Sequence, residues 1–225
     1  MNYVFDVDGT LTPSRGIMDE DFKKYFLNFC LEHDVYLVTG SDYPKTEEQV
    51  GTDVCHAVRE VYNCAGNAVY IKGNLIHKSD FQISQELHSY LINVLKQHHY
   101  EPKTGNHIEQ RIGLCNFSIV GRNANKAQRA EYSQYDKAAG DRIQILTDIN
   151  DKFPEVEAVA GGETSIDIYE KGKDKSQVGQ ILTPYIFFGD SIFPGGNDYS
   201  IAQYAARAYS VNTWHETYDI LKTLE

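Results

Sequence analysis

The sequence predicts an α/β protein: a doubly wound parallel sheet core interrupted by an inserted α+β cap domain. Three observations lead there. Short apolar runs alternate with helical periodicity at both ends of the 225-residue chain. The texture changes at about residue 80 and returns at about residue 170. The apolar runs end in polar residues, as strands do where a doubly wound sheet binds ligands.

Residues 2–6 (NYVFD) read as a buried parallel strand ending in an acid. Residues 19–32 put Phe22, Tyr25, Phe26, Phe29 and Cys30 at helical spacing. Residues 35–39 (VYLVT) form a second strand stopped by Gly40, and helical segments follow to about residue 61. Strand–helix–strand is a right-handed crossover. Residues 68–77 carry a hairpin signal with Gly73 at the bend.

The insert starts with an amphipathic helix over 83–98 and strands over 107–120. One or two helices follow over 124–152 with a break at Gly140, then strands 155–160 and 163–169 joined at Gly161-Gly162. Strand 185–189, helix 198–207, strand 208–211 and helix 214–223 complete the core. The expected domains are a core of 1–79 plus 171–225 and a cap of 80–170.

The net charge of −11 argues against nucleic acid and anionic membranes as partners, since both need a basic face. A small anionic substrate needs only a local basic cluster. Residues 103–142 supply one, with seven basic and four acidic side chains. The four cysteines form no CxxC, which suits free thiols in a reducing cytosol. The opening residues have no signal-peptide pattern and no run reaches membrane-spanning length, so the expected location is cytoplasmic.

Chemistry concentrates at the strand ends. Asp6 and Asp8 lie two apart where the first strand meets a Gly-Thr turn. Paired carboxylates at one strand end repel unless a cation joins them, and hard oxygen ligands suit Mg²⁺. Asp190 offers a further ligand. Asp6 as nucleophile, Asp8 as acid/base, Lys175 as charge clamp and Thr39 or Ser41 as hydrogen-bond donor meet the needs of phosphoryl transfer. Singly, each motif is an ordinary turn; together, in this order, they form a phosphoryl-transfer set.

These residues resemble the haloacid dehalogenase superfamily: DVDGTLT its first motif, LVTGS its second, Lys175 its third and GDSIFPGGND its fourth. The resemblance implies an aspartyl-phosphate on Asp6 and a metal held by Asp6, Asp8, Asp190, Asn197 and Asp198. Within the superfamily, RIGLCNFSIVGRNANKAQRAEY, GGETSIDIYEKGKDK and SDYPKTEEQVG are similar to segments of eukaryotic-type phosphomannomutases. By position, Arg111, Asn116, Arg122, Arg129, Ser165 and Asp167 become substrate-binding residues. The implied reaction interconverts mannose 6-phosphate and mannose 1-phosphate, primed by a sugar 1,6-bisphosphate. A homodimer through the cap is the expectation from relatives.

Three arginines suit bidentate grip on a phosphosugar. Thr39 departs from the mutases' pattern and matches phosphatase branches of the superfamily, so a sugar-phosphate phosphatase is the alternative. SIF replaces the mutases' KTM after Asp190, and the segment after Asp198 is shorter than in relatives that carry a second cation site. A non-catalytic phosphosugar-binding protein is the third reading.

Overall fold

A computed structural model describes residues 1–224, which divide into two compact units, 1–79 with 173–224 and 80–172. In the first, β1 (Asn2–Phe5) leads through α1 (Glu20–Glu32) to β2 (Asp34–Val38). Asp19 caps α1, accepting from the N–H groups of Asp21 and Phe22. The helix buries Phe22, Phe26 and Phe29. Then come α2 (Tyr43–Val50), α3 (Thr52–Ala57), β3 (Glu60–Asn63), β4 (Ala68–Ile71) and β5 (Asn74–Lys78).

The second unit holds α4 (Gln85–Gln97), β6 (Ile108–Arg111), β7 (Leu114–Phe117), α5 (Lys126–Ala139), α6 (Asp141–Lys152), β8 (Val156–Gly161) and β9 (Ser165–Glu170). The chain returns to the first unit with α7 (Ser176–Leu182), β10 (Tyr185–Gly189), α8 (Tyr199–Ala202), β11 (Arg207–Ser210) and α9 (Trp214–Leu221).

The first unit's sheet has the order β11-β10-β1-β2-β3-β4-β5. Strands β11 to β3 are parallel, and β4 and β5 add an antiparallel edge. Alternation along β1 sends Phe5 into a core with the α1 phenylalanines and Val4 into another with Val178, Leu182 and Phe187. Burial on both faces explains the nearly continuous apolar runs. Strand order reverses at β1, with β2 on one side and β10 on the other, so β1 ends at the switch point where such sheets bind ligands.

The second unit is a four-stranded antiparallel sheet, β6-β7-β9-β8. Cys115, Phe117, Ile166 and Ile168 pack with Leu87, Leu91, Tyr132, Ile145 and Ile149 of the helices. Period-two alternation leaves Asn116, Ser165 and Asp167 on the opposite face.

Two segments differ from the sequence expectation. Residues 60–63 are a central strand, where helix was expected to about residue 61. Val61 and Tyr62 pair between β2 and β4, and that pairing overrides local helical tendency. The helix expected over 198–207 spans only Tyr199–Ala202, because the Ala206 N–H turns to the Tyr185 carbonyl at 2.9 Å to begin β11.

Candidate active site

Asp6 follows directly on β1, tied by its backbone N–H to the Phe188 carbonyl of β10 at 2.9 Å. Its carboxylate is buried and accepts from Lys175 Nζ at 2.6 Å and from Thr10 Oγ1 at 3.3 Å. Lys175, at the start of α7, also donates to Asp198 Oδ1 at 2.7 Å. Both partners are almost inaccessible, so this is a buried ion triad. The Ser191 N–H binds the other Asp198 oxygen at 3.1 Å.

Asp6, Asp190 and Asp198 each bring a carboxylate oxygen to a common site, within 4.8 Å of one another. Gly9 is part of that geometry: its φ is +80°, and a Cβ there would collide with Asp190 Oδ2. Burial raises the Asp6 pKa; Lys175 opposes this, while Asp198 and Asp190 add to it. Burial also raises Asp190, with Asp198 adding. Burial works against charge on Lys175, but Asp198 and Asp6 outweigh it and raise its pKa. One ammonium facing three acids leaves an excess of negative charge. Three hard oxygen donors and that excess fit a divalent cation.

Asp8 is turned to other partners. Its Oδ1 accepts from the Arg15 N–H at 2.6 Å and from Gln49 Nε2 at 2.8 Å, and Ser41 Oγ lies 3.5 Å from its Oδ2. The carboxylate group formed by Asp6, Asp190 and Asp198 does not include Asp8. Asn197 is exposed beside Asp198. Thr39 is buried after β2, and its Oγ1 accepts from the Ser41 N–H at 3.1 Å.

Sequence reasoning passed over the residues that shape this loop. Gln49 is fully buried on α2 and also approaches Thr12 Oγ1 and the Gly16 carbonyl. A glutamine at helical spacing beside Thr46 and Val50 was the available signal. After β3, Cys64 and Ala65 adopt φ of 50° and 59°. That left-handed backbone costs roughly 1–2 kcal/mol per residue. In return the Cys64 N–H reaches the Ser41 carbonyl at 3.0 Å and the Ala65 N–H reaches Thr39 at 2.8 Å. Asn63 Nδ2 joins them, 3.1 Å from the Ser41 carbonyl.

In the second unit, Asn116 and Asp167 face each other across β7 and β9, with Asn116 Nδ2 donating to Asp167 Oδ1 at 2.5 Å. Arg111 Nε donates to Glu109 Oε2 at 2.8 Å, and Arg122 Nε lies 3.2 Å from the same oxygen. Burial lowers the Arg122 pKa, and the Arg111 guanidinium lowers it further; Glu109 opposes and Arg129 adds. Arg111 and Arg122 thus meet at one glutamate oxygen, and Arg129 is near enough to act on the charge of Arg122. Arg129 Nη1 is buried without a hydrogen-bond partner among the described residues. Ser165 Oγ donates to the Gly161 carbonyl at 2.6 Å.

Burial raises the Asp167 pKa, although Asn116 and then Arg111, Arg122 and Arg142 pull it down. Stability from this group is fully present below the ordinary value of 3.8 and is lost as pH rises through the raised folded value. Asp167→Asn is therefore expected to match the wild-type melting temperature at low pH and exceed it at neutral pH. Thermal melts from pH 4 to 8 test this, and parallel curves would refute it.

Comparison with known proteins places the chain in a family. The family described as "Eukaryotic phosphomannomutase" matches residues 22–225. A phosphomannomutase from Galdieria sulphuraria is 33% identical over 211 residues, covering 89% of this chain and 84% of that protein. One from Encephalitozoon cuniculi is 30% identical over 230 residues, covering 96% and 90%. Among solved structures, a haloacid dehalogenase-like hydrolase from Bacteroides thetaiotaomicron superposes with a TM-score of 0.63 at 10% identity, covering 100% and 99% of the two chains. The C-terminal domain of the Candida albicans trehalose-6-phosphate phosphatase gives 0.62 at 16%, covering 90% and 72%. These structures share the fold. The family implies a metal ion and a phosphosugar substrate, in keeping with the three clustered carboxylates and the arginines. On its sequence match and its fold, the chain belongs to the eukaryotic phosphomannomutase family.

Proposed function

We propose that the protein interconverts mannose 6-phosphate and mannose 1-phosphate through a phosphoryl group carried on Asp6. The observation that carries this reading is the arginine cluster, above all the unpartnered buried Nη1 of Arg129 beside Arg111 and Arg122. A mutase must hold the second phosphate of a bisphosphate while the first reacts, and a guanidinium with a free donor suits that task. Family membership supports the same activity.

Asp6 attacks the phosphorus atom and receives the phosphoryl group as the sugar oxygen departs. Asp8 gives that oxygen a proton and later takes one from the attacking hydroxyl. Two N–H donors already occupy Asp8 Oδ1, so Oδ2, the oxygen toward Ser41, is the one free to hold the proton. Lys175 orients Asp6 and offsets charge on the phosphoryl oxygens. Ser41, and Thr39 through its hydroxyl hydrogen, donate to those oxygens. Asp6, Asp190 and Asp198 would hold Mg²⁺, with Asn197 adjacent to the set and Asp8 retained in the proton role. Bound there, the ion supplies Lewis-acid stabilisation of the transferring group.

In the cap, Arg111, Arg122 and Arg129 take the distant phosphate. Asn116, Ser165 and Asp167 take sugar hydroxyls. Four cysteines that form no disulfide among the described residues fit a cytoplasmic location. A cap-mediated homodimer belongs to the same reading.

The test supplies mannose 1-phosphate, Mg²⁺ and a trace of glucose 1,6-bisphosphate. Mannose 6-phosphate is expected to exceed free phosphate by at least about tenfold, equivalent to a barrier difference of 1.4 kcal/mol. Mainly free phosphate would favour the hydrolase reading that Thr39 carries.

A further inference from the structure

One buried ion pair has no part in the chemistry above. Arg142 is the second residue of α6, just beyond the α5–α6 corner at Gly140, whose φ is +68°. Its backbone N–H donates to Asp136 Oδ1 at 2.7 Å and its Nε to Asp136 Oδ2 at 2.8 Å. Asp136 is buried and the Arg142 side chain is largely so, 14% exposed. Arg142 Nη1 then reaches three backbone carbonyls of the β8–β9 turn: Gly162 and Ser165 at 3.0 Å, and Gly161 at 3.4 Å.

That turn leads into β9, which carries two of the sugar-binding groups. Ser165 is the strand's first residue, and its hydroxyl donates to the same Gly161 carbonyl. Asp167 lies over Gly161 so closely that a Cβ there would sit 2.5 Å from its Oδ2. Shifting the turn therefore shifts both side chains. A tight turn between paired strands normally closes through its own backbone. A buried ion pair is a poor means of adding stability, because desolvation offsets most of its attraction, but it can impose one geometry.

We propose that Arg142 is a positioning residue: anchored on Asp136, it holds the Gly161–Ser165 turn so that Ser165 and Asp167 meet the sugar in one orientation. This rests on the reading of Ser165 and Asp167 as sugar-binding groups. Hydrogen bonds to charged groups contribute about 1.5–3 kcal/mol, roughly 10- to 100-fold in an equilibrium constant. Arg142→Ala is expected to raise KM for mannose 1-phosphate by about that factor, leaving kcat within about threefold. Arg142→Lys keeps a donor for the carbonyls but loses the planar two-point grip on Asp136, so a smaller rise of about threefold to tenfold is expected.

The experiment compares the full-length wild type, Arg142→Ala, Arg142→Lys and Asp167→Ala, all well below their melting temperatures. Each is assayed for mutase kinetics and for hydrolysis of p-nitrophenyl phosphate, which lacks the sugar. A graded KM rise with hydrolysis unchanged supports the proposal. If Asp167→Ala raises KM while both Arg142 variants match the wild type, the positioning role is wrong and the sugar-binding reading stands. If Asp167→Ala leaves KM unchanged, the sugar-binding reading fails and takes this inference with it. Equal loss of mutase and hydrolase turnover in the Arg142 variants reduces the residue to a structural role and overturns the proposal. Should Arg142→Ala not fold, Arg142→Lys alone decides, and an unchanged KM refutes it.

Discussion

Asp6→Asn is expected to abolish phosphoryl transfer, lowering kcat by about four to six orders of magnitude, the range seen when a nucleophile that acts within a catalytic set is removed. The substitution is nearly isosteric, and the fold should tolerate it. Lys175 keeps its bond to Asp198 at 2.7 Å, and an amide oxygen at position 6 can still accept from it. Burial penalises charge at this position, so the neutral amide relieves a cost. Urea unfolding should thus place the variant at or above wild-type stability. Incubation with a ³²P-labelled sugar bisphosphate should label the wild type with phosphate that hydroxylamine releases, as it does from acyl phosphates, and leave the variant unlabelled. A variant that retained more than a hundredth of the activity, or still took up the label, would move the nucleophile elsewhere.

Lys175→Met is expected to affect both stability and rate. The ammonium stands between Asp6 and Asp198, two carboxylates with almost no contact with solvent. Removing one partner from a buried ionic set costs about 3–5 kcal/mol, since the charges left behind are neither hydrated nor paired. Turnover should fall by at least about a hundredfold, the scale for deleting one preorganised charge-stabilising group.

The sign with pH is defined. Without the ammonium, Asp6 loses the partner that opposes its burial, and repulsion from Asp198 and Asp190 remains, so its folded pKa rises further. Stability from this group is then greatest below the ordinary carboxylate range and is lost as pH rises through the raised folded value. The deficit of Lys175→Met relative to wild type should accordingly be smaller at pH 5 than at pH 8 in urea unfolding. Adding Asp6→Asn to Lys175→Met should recover part of it, because these neighbours are energetically coupled. A deficit independent of pH, or strictly additive single substitutions, would show that the triad does not behave as one ionic unit.

Much of the core was legible because its physics is local. The run NYVFD, the α1 phenylalanine spacing and VYLVT each state which face is buried, and a parallel sheet needs such runs. Asp6, Thr39 and Asp190 follow from strand ends in the same way. Strand β3 was less legible: EVYN is too short for periodicity to separate strand from helix, and it becomes a strand because β2 and β4 flank it. Helix α8 ends early for a similar reason, a backbone hydrogen bond to β10.

Site chemistry divides along the same line. The sequence by itself determined the superfamily motifs, the interrupted layout and the residue types on which phosphoryl transfer depends, since these rest on composition and short spacing. Only the tertiary structure decided how they pair. It joined Lys175 to Asp6 across 169 positions and to Asp198 across 23, assigned Gln49 and the Arg15 N–H to one oxygen of Asp8, and set Arg142 beneath the turn that leads to Ser165. The physical reason is that a carboxylate's partner is whichever donor the fold brings within about 3 Å, and sequence separation carries little information about that distance.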